Sequence, residues 1–466
     1  INERTTEQDH EKMREMIIAY VKNTEKMVAR STNNDVWIYS LKSGKHTQLT
    51  TNKGNDFSPK YSPDGRYLAF QSMKRAGYEA DKADVTLYDR RTKKMRNLTG
   101  TLDRSPYMFA FAPDTKRIYF TAQDQGHINM WSVTFRGKIQ KEFVSNFITD
   151  FKVMSRGKLV ILDQTIAKPQ ELYFHNGKKA RRAGFGKVRA PKLVMLSDKN
   201  TLLLSDVAMG TTESLWVKGD RGDKVHTLIL KPPHFQKGKK YPVVFLIHGG
   251  PQGAFGYDFH PRWNSQLFAA PGYVVVMPNF HGSTGYGLKF QDAIRGNWGG
   301  SPYKDVMAAF DAVQKLPYVN KDKIGAAGAS YGGYLIDWIG TKNNRFKCLI
   351  SHSGVYNIVS MYGSTEELWF PEWDHKGQPW TNPEGYAKHN PIEYVQNWKT
   401  PMLVIHGELD YRVPVTQGIA TFTALQRRGI PSRFLYFPDE NHFVLKPANS
   451  VQWHHEVHRW LHSYLD

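Results

Sequence analysis

The sequence predicts a doubly wound, mostly parallel α/β sheet over residues 212–466, preceded by part of an all-β propeller over residues 31–211. Three observations predict it. Short strand-and-turn units recur at a period of about 40–50 residues before position 211. Beyond 212, apolar strand-like runs alternate with helical ones. In that second texture a serine stands between glycines where a strand runs into a helix, at Gly328-Ala329-Ser330-Tyr331-Gly332.

Residues 1–30 are charged and helix-permissive, with no strong cap and no evident partner. They do not begin with Met, and an origin inside a longer protein is expected. From 31 onward the repeat is visible. Asp35-Val36-Trp37-Ile38-Tyr39 and Asp84-Val85-Thr86-Leu87-Tyr88 each open a unit, and Gln48-Leu49-Thr50 and Asn97-Leu98-Thr99 close them. Tyr61-Ser62-Pro63-Asp64-Gly65 and Phe111-Ala112-Pro113-Asp114-Thr115 are matching turns. Pro presets φ, Asp caps the turn and Gly supplies a positive φ. About three to four four-stranded blades are expected, fewer than a closed propeller usually has.

In the second region strands are expected over 225–230, 243–247, 273–277, 323–327, 348–351, 402–405 and 434–437. Helices are expected over 303–316 and 415–428, with a closing helix over 450–465.

Composition bounds the function. The chain is 40% hydrophobic and 13% aromatic, enough for large cores. It has no run of 18 apolar residues, so no membrane insertion is expected. Its net charge of +20 comes from residues scattered along the chain, with short clusters at 178–182 and 237–240. A nucleic-acid partner is therefore not expected. A single cysteine, Cys348 in an apolar run, excludes an intrachain disulfide and fits cytosol or export equally. No Cys/His spacing suits a metal, and no cofactor is expected.

The Gly-x-Ser-x-Gly pattern gains meaning from the residues downstream. In an α/β-hydrolase an acid and a histidine come after the nucleophile, each on a loop beyond a strand. Asp337 lies on the helix leaving the elbow, and Asp374 lies in an aromatic insertion (Leu368–Trp373 and its flank) with no strand before it. Asp439 shares a loop with a histidine. Asp410 comes after the strand at 402–405 and is the expected acid. His442 comes after the strand at 434–437, whereas His454, His455, His458 and His462 lie on the closing helix. Ser330 is then the nucleophile, His442 its base, and Asp410 the group that fixes the imidazole. The Tyr331 N–H after the nucleophile is one oxyanion donor. Gly250, in His248-Gly249-Gly250-Pro251 after the strand at 243–247, supplies the other.

The motifs His248-Gly249-Gly250-Pro251, Gly328 to Tyr334, His406-Gly407-Glu408-Leu409-Asp410-Tyr411-Arg412-Val413-Pro414 and Asn441-His442 together resemble the prolyl oligopeptidase family of serine peptidases. Within it the chain is most similar to the branch of bacterial dipeptidyl-peptidase 5 and acylaminoacyl-peptidases. The prolyl-specific members carry Tyr at the position of His248 and use its phenol in the oxyanion hole, so a backbone donor is implied here. The resemblance makes Arg412 a candidate for binding a substrate carbonyl; a structural ion pair is the alternative. Ile358, Met361 and Val413 are candidates for lining the pocket of the residue before the scissile bond (P1), which implies a hydrophobic or small P1.

The resulting expectation is an exopeptidase that releases dipeptides from oligopeptides through an acyl-enzyme, with an acylaminoacyl-peptidase or oligopeptidase as the alternative. An esterase and a non-catalytic propeller scaffold are the readings from other classes. Resemblance to exported bacterial members implies a periplasmic or secreted enzyme, with the cytoplasm left open. A homodimer is left open too.

Overall fold

The computed structural model describes residues 17–177, 182–183, 187–188 and 193–466. Residues 1–16, and the basic cluster at 178–182 apart from the backbone of Arg182, lie outside the described residues. The chain divides into two compact units. One spans residues up to Gln123 with Ile128–Leu162 and Tyr173–Val194; the other comprises Asp124–His127, Asp163–Leu172 and Met195–Asp466.

The first unit is built of antiparallel blades. One consists of Asp56–Tyr61, Tyr67–Ser72, Asp84–Asp89 and Lys94–Asn97. The next consists of Pro106–Phe111, Arg117–Asp124, His127–Thr134 and Ile139–Phe143. Phe147–Val153, Leu159–Thr165, Lys168–His175 and Val194–Met195 continue the same eight-stranded sheet, joined to it by the parallel pair Ile128↔Phe147. The repeated residues do repeated work. Thr50 Oγ1 accepts from the Val36 N–H and Thr99 Oγ1 from the Val85 N–H, both at 2.9 Å. In each case the same hydroxyl also meets the aspartate that opens the unit, Asp35 or Asp84. In the expected turn, Asp64 Oδ1 accepts from Ser62 Oγ at 2.6 Å and from the Arg66 N–H at 3.1 Å, while Gly65 takes φ +68°.

One expectation is corrected here. Ile17–Lys22 is not helical but a strand, paired antiparallel with Asp35–Ser40 from Ile17↔Ser40 to Lys22↔Asp35. Its β-branched and aromatic residues suit a strand, and its partner lies beyond the charged stretch.

The second unit is an eight-stranded sheet. Its strands are β1 Thr211–Lys218, β2 Lys224–Lys231, β3 Tyr241–Ile247, β4 Val274–Asn279, β5 Val319–Ala329, β6 Leu349–His352, β7 Met402–Gly407 and β8 Ser432–Phe437. Their spatial order is β1-β2-β4-β3-β5-β6-β7-β8. β1/β2 and β2/β4 pair antiparallel, and every later pair is parallel. The edge strand β1 has no counterpart among the runs expected from sequence. Only Val217 in it is buried, so it carries little apolar pattern.

Period-2 alternation sends the two faces of β3 into different layers. Val243, Phe245 and Ile247 pack with Val306 and Phe310 of α1 (Ser301–Val313) and Leu335 and Ile339 of α2 (Tyr331–Lys342). Val244 and Leu246 pack with Trp453, Val457 and Leu461 of α6 (Pro447–Leu465) and with Cys348. Between them run α3 (Ile358–Tyr362), α4 (Trp369–Asp374) and α5 (Thr416–Arg427). The sheet is thus covered on both faces, as an α/β-hydrolase requires. Among the described residues no helix is long and apolar enough to cross a membrane.

Candidate active site

Parallel register brings the site together. Ile247 lies opposite Gly328, Ala329 opposite His352, His352 opposite Ile405, and Gly407 opposite Phe437. The loops leaving β3, β5, β6, β7 and β8 therefore rise from one edge of the sheet, the carboxyl edge where such sheets carry ligands.

Ser330 sits where β5 turns into α2, with φ +59° and ψ −123°. That conformation costs a non-glycine residue on the order of 1–3 kcal/mol. The flanking glycines make it attainable. A Cβ on Gly328 would lie 2.4 Å from the Gly332 carbonyl oxygen, and one on Gly332 would lie 2.2 Å from that of Ile247. Ser330 is half-buried, and the bond from its Oγ to His442 is not formed in this structure. Such bonds commonly tighten only when substrate is bound.

Asp410 and His442 do meet. His442 Nδ1 donates to Asp410 Oδ2 at 2.6 Å, with Asp410 buried and His442 9% exposed. Asp410 Oδ1 accepts from the N–H groups of Arg412 and Val413 at 3.1 and 2.9 Å. Burial pushes this carboxyl's pKa up, but hydrogen bonds from His406 and His442 outweigh it and hold the group well below the usual carboxylate range. Nδ1–H on the carboxylate leaves His442 Nε2 as the free acceptor.

Sequence reasoning gave no role to five residues that build this corner, His352, His406, Glu408, Leu409 and Glu440. His406 Nε2 donates to the Val413 carbonyl at 2.7 Å and stands 3.5 Å from Asp410 Oδ2. The turn after Gly407 is zipped to the histidine loop: the Glu408 N–H donates to the Phe437 carbonyl and the Leu409 N–H to that of Glu440, both at 2.9 Å. Glu440, 3% exposed, accepts from the Leu445 and Lys446 N–H groups at 2.8 and 2.9 Å. His352 is buried beside the pair, and burial lowers its pKa to about 3. The i, i+4 spacing of His406 and Asp410 was the one signal on offer.

The other acids lie elsewhere. Asp337 is fully buried on α2, where burial raises its pKa to about 8. Asp374 accepts from Trp298 Nε1 at 3.0 Å. Asp439 is exposed and pairs with Lys446. The later histidines are on α6.

The Tyr331 and Gly250 N–H groups, the expected oxyanion donors, have no acceptor among the described residues. Tyr331 is the first residue of α2, so its N–H has no partner within the helix. Its side chain is buried and donates to the Trp298 carbonyl at 2.6 Å. Gly250 takes φ +120°, and a Cβ there would lie 2.5 Å from the Gln252 nitrogen. Gly249 flanks the nucleophile: its Cβ would stand 3.3 Å from that of Ser330. The His248 imidazole faces elsewhere. It donates from Nδ1 to the Gly249 carbonyl at 2.9 Å, accepts at Nε2 from Ser283 Oγ at 2.8 Å and stacks on Phe280 at 4.1 Å.

Arg412 forms an ion pair with Glu367 at 2.7 Å and stays 39% exposed in its side chain. Ile358, Met361 and Val413 present almost no surface; they are at 0%, 0% and 2% exposure in the main core. Ile358 and Met361 are three apart on α3, which sets both on its core face, while Val359 is 46% exposed. In this state they pack beneath the site rather than line an open pocket. The aromatic insertion becomes α4, with Leu368 and Phe370 packed against the core. Among the described residues no group of three or more His, Cys, Asp or Glu side chains could hold a metal ion.

Known proteins resemble this chain along most of its length. Residues 258–466 match the model of the prolyl oligopeptidase family, Peptidase S9. The chain is 38% identical over 459 residues to dipeptidyl-peptidase 5 of Porphyromonas gingivalis, covering 96% of this chain and 65% of that protein. It is 35% identical over 445 residues to dipeptidyl-peptidase 5 of Schizosaccharomyces pombe, covering 94% and 63%. The chain thus spans less than two thirds of the length of either relative. Among solved structures it superposes on an acylaminoacyl peptidase in complex with Z-Gly-Gly-Phe-chloromethyl ketone, with a TM-score of 0.82 at 23% identity over 96% of this chain and 69% of that one. It also superposes on Porphyromonas gingivalis dipeptidyl peptidase 4, with a TM-score of 0.71 at 18% identity over 93% and 60%. Those two likenesses establish the fold, a propeller followed by an α/β-hydrolase domain, and residues 258–466 form a domain of the prolyl oligopeptidase family.

Proposed function

We propose that this chain carries the catalytic machinery of a serine exopeptidase that releases dipeptides from the amino terminus of oligopeptides. The observation that carries the reading is the Asp410–His442 pair on the same sheet edge as the strained Ser330 elbow. The relatives named dipeptidyl-peptidase 5 support the dipeptide product.

In this mechanism His442 Nε2 takes the proton of Ser330 Oγ as the oxygen attacks the scissile carbonyl. The carbonyl π electrons move onto its oxygen, and the N–H groups of Tyr331 and Gly250 receive that oxyanion. Asp410 keeps His442 in the tautomer that presents Nε2 and stabilises the imidazolium. The imidazolium then protonates the leaving amine, the C–N bond breaks, and an acyl-enzyme remains on Ser330. Water, deprotonated by the same imidazole, releases the dipeptide. Arg412 binds a substrate carbonyl, its charge steadied by Glu367. The P1 residue is hydrophobic or small on this reading, because the segment after Ser353 that the resemblance assigns to the P1 pocket offers apolar Ile358 and Met361 and no acidic side chain at those positions. We further propose a periplasmic or secreted location, with oligopeptides as the partners.

A pair of substrates tests it. Dipeptidyl coumarylamides with free amino termini, such as Gly-Phe, should be cleaved at least ten times faster than their N-acetyl forms. Preference for the acetylated forms would replace the reading with an acylaminoacyl-peptidase. A fluorophosphonate probe should label the protein and fail to label Ser330→Ala; labelling that survives would mean another nucleophile.

A further inference from the structure

Arg262 stands out among the cations near the site. Its guanidinium lies 4.8 Å from the centre of the Phe443 ring, and Nη1 donates to the Phe443 carbonyl at 3.4 Å. Phe443 is next to His442 in the chain, and their rings are 5.3 Å apart. The Arg412 guanidinium is 5.7 Å from the same Phe443 ring, but it is neutralised by Glu367. Arg262 has no carboxylate partner among the described residues. The small cleft it lines with Trp263, His352, Ser450 and His454 contains no acidic side chain. Burial also pulls its pKa below the ordinary guanidinium value, a sign of a charge partly stripped of water.

A partly desolvated cation without a counter-charge is unfavourable by itself and is relieved by an anion. The chemistry of the reaction says which anion can reach it. His442 hands its proton to the leaving amine, so residues beyond His442 face the departing part of the peptide. A ring-to-ring step of 5.3 Å to Phe443 and a ring-to-guanidinium step of 4.8 Å lead from His442 to Arg262 and bound their separation from above. An extended chain covers roughly 3.5 Å per residue, so two or three departing residues span that interval.

We propose that Phe443 and Arg262 form a leaving-group subsite, in which Phe443 supports the first departing residues and Arg262 binds the terminal carboxylate of a short oligopeptide. The inference rests on the peptidase reading above and adds a preference for short substrates with a free carboxyl end. A neutral peptide amide offers Arg262 only a carbonyl dipole. The carboxylate offers a charge-assisted, bidentate partner.

The test compares Gly-Phe-Ala-Ala with Gly-Phe-Ala-Ala-amide, and both with Gly-Phe-coumarylamide, which has no carboxylate. Wild-type kcat/KM should favour the free acid about tenfold. In Arg262→Gln that ratio should fall close to one while coumarylamide cleavage stays within twofold. Arg262→Lys, which keeps the charge but not the fork, should fall between. An acid-to-amide ratio near one in the wild type, or an unchanged ratio in Arg262→Gln, overturns the inference. Because the wild-type ratio needs no variant, a poorly folded Arg262→Gln does not shield it. Failure of the wild type to cleave all three compounds overturns the peptidase reading and this inference together; cleavage of the coumarylamide with no acid preference overturns this inference alone.

Discussion

Asp410 and His442 are joined by a 2.6 Å hydrogen bond from the imidazole Nδ1 to one carboxylate oxygen. The second oxygen is held by the N–H groups of Arg412 and Val413. The carboxylate cannot rotate without leaving the buried Val413 N–H and the partly buried Arg412 N–H unsatisfied, so the imidazole plane is fixed before substrate arrives.

Replacing Asp410 by Asn keeps the shape and removes the charge. The amide then favours the wrong imidazole tautomer, and kcat should fall about 10³–10⁴-fold with KM little changed. Stopped assays with a dipeptidyl coumarylamide read this directly. A loss below tenfold would mean that another group orients His442. The same carboxylate predicts an acid limit. Its folded pKa is depressed, so its stabilisation is complete above the ordinary value of about 3.9 and is lost as pH falls below that.

Gly407 sits under the histidine loop. A Cβ there would lie 2.5 Å from the Glu440 carbonyl oxygen and 2.6 Å from that of Asn441, and both are backbone atoms that can only move together. Gly407→Ala should therefore push His442 outward. A displacement near 1 Å predicts a fall of about 10²-fold in kcat, with far-ultraviolet circular dichroism unchanged. Wild-type kcat in this variant would show that the loop yields elsewhere.

These two residues mark how far the sequence could be read. Asp410 was legible because a strand, a turn and an acid succeed one another along the chain. Ser330 and His442 were legible for the same reason, since parallel strands deliver the loops after them to one edge. The role of Gly407 was not, because its neighbours come from the loop after β8 and appear only when β7 and β8 align. Ile358 and Met361 show the limit from the other side: the resemblance makes them candidate pocket lining, while in this structure helical spacing sets both on the core face. Ile17–Lys22 was hidden by the charged residues on either side of it, since a strand of six residues is too short to dominate a window.

His281 gives the last prediction, outside the site. It lies in the loop after β4, 1% exposed, between two carboxylates: Nδ1 donates to Asp305 Oδ2 at 2.6 Å and Nε2 to Asp223 Oδ2 at 3.1 Å. Asp305, on α1, also accepts from the Asp220 N–H at 2.8 Å, so the cluster ties the β1–β2 turn to the helix. Burial alone would lower the imidazole's pKa; the hydrogen bonds and charges of Asp305 and Asp223 outweigh it and raise the value above 6.5. A raised folded pKa means stabilisation that is complete below the unfolded value of about 6.5 and lost as pH rises through the folded one. The thermal midpoint should therefore fall in the wild type as pH rises from about 6.5 through the raised folded value. In His281→Gln it should start lower and stay flatter over that interval, because the glutamine carries no proton to lose. Scanning calorimetry at fixed ionic strength checks both slopes, and parallel curves for the two proteins would show that the cluster does not titrate with folding.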